Sequence, residues 1–246
     1  YIVNNFPTSR SYFSADTLNY WSGNKGVPSI VNDGEEIYFL NNGIYDPNLY
    51  SQYFTNQSNL YDINLNTTEE IKYGGLIRMI YAGNDDFQIY NVWNMANGIL
   101  DAQNGIYADE DFSGHLPFMT LNQLTLDNND NLYVLNPYCE YTDQPIAIRV
   151  KNTATWYHAY DNEGYIPKEM VIDKHNNIWI GYQYALTLTT SEDYSPGGIK
   201  MLEIKSIQNE SDDRWHDDFL NELDGVNVWS LDIGYDKYNN EILWLL

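Results

Sequence analysis

Lys and Arg together number only 12 in 246 residues, against 35 Asp and Glu, so the formal charge is −23. A surface that follows a phosphate backbone or an anionic bilayer needs clustered cations. Nucleic acid and anionic lipid are thereby excluded as expected partners. Cysteine occurs once, at Cys139, so no disulfide can form within the chain. No apolar run approaches the roughly 18 residues that a membrane-spanning helix requires, and no direct membrane insertion is expected. The four histidines, His115, His158, His175 and His216, fall at no metal-ligand spacing. An initiating Met and a charged-then-apolar leader are also missing, and the start at Tyr1 reads as processed or truncated.

What the chain does have is aromatic and turn-forming residues. Aromatics make up 15%, too many for a disordered chain, with 23 Tyr and 31 Asn. Tyr and Trp favour strands and Asn favours turns, so the composition points to an all-β protein with many tight connections. The acidic, Lys-poor balance points to an extracellular, cell-surface or periplasmic setting.

A strand–turn–strand segment recurs along the sequence. Its clearest copy is residues 168–180, where an apolar strand runs into Asp173, a polar turn follows, and a second strand carries Trp179. Residues 124–134 repeat it with Asp127 and Tyr133, and residues 29–39 with Asn32 and Tyr38. Residues 80–90 form a degraded copy ending at Tyr90. Residues 228–244 form a fifth, read from Asp232 to Trp244 with a turn about two residues longer. The marker aromatics are spaced by 52, 43, 46 and 65 residues. A period near 45 with strand–turn–strand content is that of a β-propeller blade. One four-stranded blade cannot bury both its faces, so similar blades must stack around an axis.

Further strands fall between these pairs. The alternation of Ile146, Ile148 and Val150, and of Ile199, Met201 and Glu203, predicts third strands. Trp21, Trp156 and Trp215 precede Tyr38, Trp179 and Trp244 and mark a second repeated position on an outer strand. Trp215, Phe219, Leu220 and Leu223 have spacings that predict one short surface helix. No linker is visible. The expectation is a single all-β propeller domain over 1–246 with five recognisable blades. It is either a closed five-bladed ring, in which residues 1–22 supply outer strands to the last blade, or a portion of a larger propeller in a longer chain.

The pattern Asp-x-x-x-Asn-Ile-Trp-Ile, best seen at Asn177-Ile178-Trp179-Ile180-Gly181, resembles the two-component-regulator propeller repeat. The Trp-Tyr-x-x-Tyr run at 156–160 is similar to propellers of bacterial surface and type IX secretion proteins. The resemblance covers roughly residues 28–246. It implies a propeller fold and a location outside the cytoplasm, with a sensing, adhesive, scaffold or enzymatic role, and it carries over no catalytic residues.

Catalytic constellations are absent from the pattern. Asp127, Asn129 and Asn131 place oxygen side chains like the opening of a calcium loop, but Leu132 and Tyr138 stand where a Gly and a bidentate Glu belong. A hydrogen-bonded hairpin turn accounts for the same residues in every copy. Calcium is the one cofactor these residues would suit; otherwise none is expected. Acidic runs such as Asp109-Glu110-Asp111 read as solvated surface.

The expected function is a non-enzymatic extracellular binding or scaffold propeller that recognises a protein or glycan. Loops after the second strands would present the binding residues Trp93, Tyr138 and Tyr184, aromatics on variable connections over a rigid scaffold. The alternatives are a periplasmic ligand-sensing ectodomain of a signalling receptor and a propeller glycan-active lyase or hydrolase. For the latter, His115 or His158 beside a carboxylate would be the acid–base group.

Overall fold

A computed structural model describes residues 29–34, 36–42, 74–83, 86–93, 100, 121–137, 145–159, 166–186, 193–216 and 223–246. They are all-β: fifteen strands and a 3-10 turn at Glu210–Asp212, with each recorded strand register antiparallel. The chain divides into two compact units. One comprises Tyr1–Leu124 and Tyr138–Thr142, the other Thr125–Pro137 and Asp143–Leu246.

The first unit holds a four-stranded sheet in the order β1 (Ile30–Asn32), β2 (Glu36–Asn42), β3 (Gly74–Gly83) and β4 (Asp86–Trp93). Tyr38, Phe39 and Leu40 of β2 and Leu76, Ile77 and Met79 of β3 are buried in succession. Apolar side chains on both faces of a central pair require cover on both sides.

The second unit holds three sheets, apart from Gln123 and Leu124 of the first, which fall in the other unit. The strands β5 (Gln123–Leu126), β6 (Leu132–Leu135), β7 (Ile146–Arg149) and β8 (Trp156–Ala159) follow one another in sequence order. The next sheet runs β9 (Ile166–Ile172), β10 (Ile178–Leu186), β12 (Ile199–Glu203), β13 (Arg214–His216), and β11 (Asp193–Pro196) extends the far end of β10. The last pair is β14 (Leu231–Tyr235) with β15 (Glu241–Leu245).

Consecutive sheets of this unit share their cores. Tyr133 and Leu135 of β6 and Ile146 and Ile148 of β7 cluster with Ile178, Ile180 and Tyr182 of β10. Trp179, on the opposite face of β10, packs with Val228, Leu231 and Leu243. At about 1.5–3 kcal/mol for each fully buried large side chain, these seams outweigh any single turn. Gly181 lies so close to Val228 that a Cβ there would stand 2.7 Å from Val228 Cγ1. Only a residue without a side chain lets the segment approach.

The third strands stand where the alternation predicts, as β7 and β12. Trp156 and Trp215 are equivalent, opposite Arg149 and Leu202 at the same place in their ladders. Trp21, residues 1–22 and Cys139 lie outside the described residues.

Four expectations are corrected. Residues 80–90 do not begin a separate blade. They are the β3–β4 hairpin of the first sheet, so the five expected first-to-second-strand pairs become four. In the last copy the turn aspartate is Asp236, not Asp232, and the turn has the ordinary length. The residue matching Trp179 is therefore Ile242, and Trp244 lies two further on. In the first copy the turn is shared rather than held by Asn32 alone: Asn32 Oδ1 accepts from Gly34 N–H at 2.6 Å, as Asp173 does from His175, while Asp33 N–H donates to Glu36 O at 3.3 Å. Trp215 lies on strand β13, paired with Leu202, not on a helix. Local spacing read a helix where cross-strand pairing decides.

Candidate functional site

The repeated turn is built around one carboxylate. Asp173 Oδ1 accepts from the backbone N–H of His175 at 2.8 Å and Asn177 at 2.9 Å. Its Oδ2 accepts from Asn177 Nδ2 at 2.8 Å and Trp179 Nε1 at 3.2 Å. Asn176 supplies the positive φ, 64°, that closes the loop. Asp127 repeats the arrangement with Asn129, Asn131 and the Tyr133 hydroxyl, and Asp130 takes φ 59°. Burial first, and the negative charge of Asp127 second, raise the Tyr133 phenol far above its usual value, so it remains a neutral donor. Asp236 repeats the turn at the surface with Asn239 at φ 64°. Hydrogen bonds from Asn240 hold the Asp236 carboxylate below its usual pKa.

Asp127, Asn129 and Asn131, the residues considered for calcium, are thus engaged in the turn. Both Asp127 oxygens accept hydrogen bonds, and Asn131 Oδ1 accepts from Lys151 N–H at 3.0 Å. Among the described residues no three His, Cys, Asp or Glu side chains converge as metal ligands.

The first sheet carries a different polar group. Glu36 accepts from Arg78 Nε at 2.7 Å, pairs with Arg78 Nη2 and accepts from the Tyr38 hydroxyl. Arg78 also lies 4.6 Å from the centre of the Tyr90 ring and donates to Asn91 Oδ1 at 3.3 Å. Burial alone would lower the Arg78 pKa, but the Glu36 hydrogen bond and charge prevail and raise it. The group is a cross-strand clamp over β2, β3 and β4.

Two further ionisable groups stand out. Lys200, 6% exposed, lies 5.8 Å from the ring centres of both Tyr182 and Trp215. The rings' negative faces stabilise its charge where water is excluded. Asp213 has one carboxylate oxygen buried with no hydrogen-bond partner among the described residues. Burial, then repulsion from Asp212 and Glu210, pushes its pKa up to about 6.

Of the expected binding residues, Trp93 ends β4 in the first unit, half-buried, opposite Leu76. It therefore closes a fourth strand, not a second. Tyr184 is half-buried on β10, where its N–H donates to Asn227 Oδ1 at 2.9 Å. Tyr138 and His115 lie outside the described residues. His158 stands on β8 and His175 is exposed in its turn. His216 Nε2 meets Glu203 Oε2 at 3.3 Å on the β12–β13 surface.

Among the described residues a group of exposed aromatics lies elsewhere, on the last hairpin and its approach. Trp229 and Trp244 are 58% and 59% exposed, with Tyr235 and Tyr238 also open. Lys168 Nζ sits 5.6 Å from the Trp229 ring centre, and burial lowers its pKa. Trp244 lies over Gly234, where a Cβ would stand 2.7 Å from Trp244 Nε1. Trp244 is not, as the sequence pattern suggests, the residue equivalent to Trp179; the Asp236–Asn240 spacing carries the correct register.

The sheets and turns define an all-β chain of repeated antiparallel sheets. No protein-family model matches it, and no curated protein matches it. Among solved structures it is similar to PorZ, an essential bacterial surface component of the type IX secretion system of Porphyromonas gingivalis. The identity is 10%, the TM-score 0.49, and the match covers 91% of this chain and 31% of PorZ. The chain thus spans just under a third of the length of that protein.

Proposed function

We propose that the chain is a β-propeller module, or a portion of one, acting outside the cytoplasm as a non-enzymatic binding or scaffold domain. The propeller reading is supported by the second unit. There sheets succeed one another in the same strand order, share cores, and adjoin at their turns. Asn128 Nδ2 donates to Asn176 Oδ1 at 2.9 Å, and Lys174 N–H donates to Glu241 Oε1 at 2.8 Å.

The observation that carries the binding reading is the set of open aromatics on one braced hairpin: Trp229, Tyr235, Tyr238 and Trp244. Flat rings beside the carboxylates of Asp232 and Asp236 suit either the apolar face of a sugar or a protein side chain. Trp93, at the end of β4, and Tyr184, on β10, remain candidate binding residues, together with Tyr138.

The experiment presents the purified chain to immobilised bacterial surface polysaccharides and outer-surface proteins, with Trp244→Ala and Trp93→Ala as parallel variants. Saturable binding that one variant loses while staying folded supports the reading. Release of shortened or unsaturated sugars from a bound glycan would establish an enzyme and overturn it.

A further inference from the structure

The seam between the β5–β8 sheet and the β9–β13 sheet carries a carboxyl that no turn uses. Residues 204–213 join β12 to β13, and Ile204 and Ile207 pack against the core cluster that contains Tyr133. Asp212 serves this loop as an anion. Its Oδ1 accepts from Ser206 N–H at 3.3 Å and its Oδ2 from Asn209 Nδ2 at 3.1 Å. Asp213 ends the loop, with its N–H donating to Glu210 O at 3.3 Å. Its Oδ1 is buried with no hydrogen-bond partner among the described residues. A buried carboxylate oxygen without a donor is costly, whereas a protonated carboxyl brings its own donor and needs only an acceptor.

Such an acceptor lies across the seam. Tyr133 of β6 gives its hydroxyl proton to Asp127 Oδ2 at 3.3 Å, which leaves the lone pairs of its own oxygen open. The Asp213 charge reaches that phenol and adds to the rise in its pKa. From its own loop Asp213 faces Asp212 and Glu210, both repulsive. From the neighbouring sheet it faces Tyr133, with Asp127 beyond the phenol. The cations around the loop are turned to water or to other acids: Lys205 and Arg214 are exposed, Lys151 pairs with Asp130, and His216 meets Glu203.

We propose that Asp213 is a proton-operated latch between these two sheets: with a proton bound, its buried oxygen donates to Tyr133 Oη and holds the 204–213 loop on the seam, and loss of that proton releases the loop. The proton comes from water, and Tyr133 keeps its own. The line then runs from Asp213 through Tyr133 to Asp127, with one donor for each acceptor. Burial and the neighbouring acids push the Asp213 pKa up to about 6, so the latch is closed below that pH and open above it. Opening uncovers Ile204 and Ile207, so the surface of the seam is more apolar at neutral pH than in acid.

The test is amide hydrogen exchange of the whole chain at about pH 5 and about pH 7.5, read as protection factors so that the intrinsic pH dependence cancels. The amides of β6 and β10 serve as the internal standard for global stability. In the wild type, protection of the loop should be at least about tenfold higher at the lower pH, the worth of one hydrogen bond. Asp213→Asn, whose amide donates without titrating, should be protected at both pH values. Asp213→Leu removes the charge but supplies no donor, and should be protected at neither. Tyr133→Phe removes the acceptor and should lose the gain in acid. Circular dichroism checks that each variant is folded, and the two Asp213 variants decide the matter should Tyr133→Phe not fold. Loop protection in the wild type that ignores pH overturns the proposal. So does Asp213→Leu protected as well as Asp213→Asn, since relief of repulsion would then suffice, and so does a folded Tyr133→Phe that keeps the gain.

Discussion

Asp173 commits both carboxylate oxygens to its own turn and is almost fully buried, so its removal takes the acceptor from four N–H donors at once. Asp173→Ala should cost about 2–3 kcal/mol in urea unfolding. Asp236→Ala, in the same turn at an exposed site, should cost far less because water replaces the carboxylate. Equal losses would mean that the turn acts through the unfolded chain rather than through buried donors. Asp213 is the opposite case, a carboxyl the fold would prefer neutral. Its folded pKa, about 6, lies above the ordinary value, so the stability it contributes is present at low pH and is lost as pH rises through 6. Asp213→Asn should therefore be more stable than wild type at pH 7, with the advantage vanishing toward pH 4. Melting temperatures of both proteins across that range check it, and a constant difference would refute the pKa assignment.

At the scale of strands and turns, the seam between β10 and the approach to β14 depends on Gly181. Its replacement by Ala forces Val228 aside and should cost about 1–3 kcal/mol, measured by thermal or urea unfolding. Gly34→Ala meets no neighbouring atom within 4 Å and tests only the strain of its φ of +99°, a smaller penalty. The turns around Asp127 and Asp173 were legible in the sequence because an Asp, an Asn four residues on and an aromatic six on are all local. The third strands were legible for the same reason, through the alternation of Ile146 with Ile148 and Ile199 with Met201. Which strands share a sheet was not. A strand–turn–strand segment reads alike whether it joins first to second strand or third to fourth, and residues 80–90 were misassigned on that account. The last hairpin offered two aspartates four residues apart, Asp232 and Asp236, and only the ladder from Leu231↔Leu245 to Tyr235↔Glu241 decides between them. The exposed aromatic surface followed that error. Apolar alternation at Ile242 and Trp244 signals a face needing cover, and burial depends on what long-range packing brings to it.

For the molecule as a whole, −23 on 246 residues sets up self-repulsion that counter-ions relieve. The melting temperature should rise from dilute buffer to seawater-like salt. At matched ionic strength calcium and sodium should act alike if screening is the cause. A large calcium-specific rise would make ligands of Asp127, Asn129 and Asn131, at the expense of their turn bonds. The joints between sheets carry one more implication, for how such a chain changes over generations. In each joint the second residue of a turn donates forward: Asn128 to Asn176, Lys174 to Glu241. Donor and acceptor belong to neighbouring sheets and to no others. A stretch of gene encoding one whole sheet brings its own forward donor and its own backward acceptor, so duplicating or deleting it at a sheet boundary leaves no orphaned polar group. Copy number is then free to drift while every seam keeps its chemistry, and the sequence of each copy can diverge wherever the turn and the seam do not hold it.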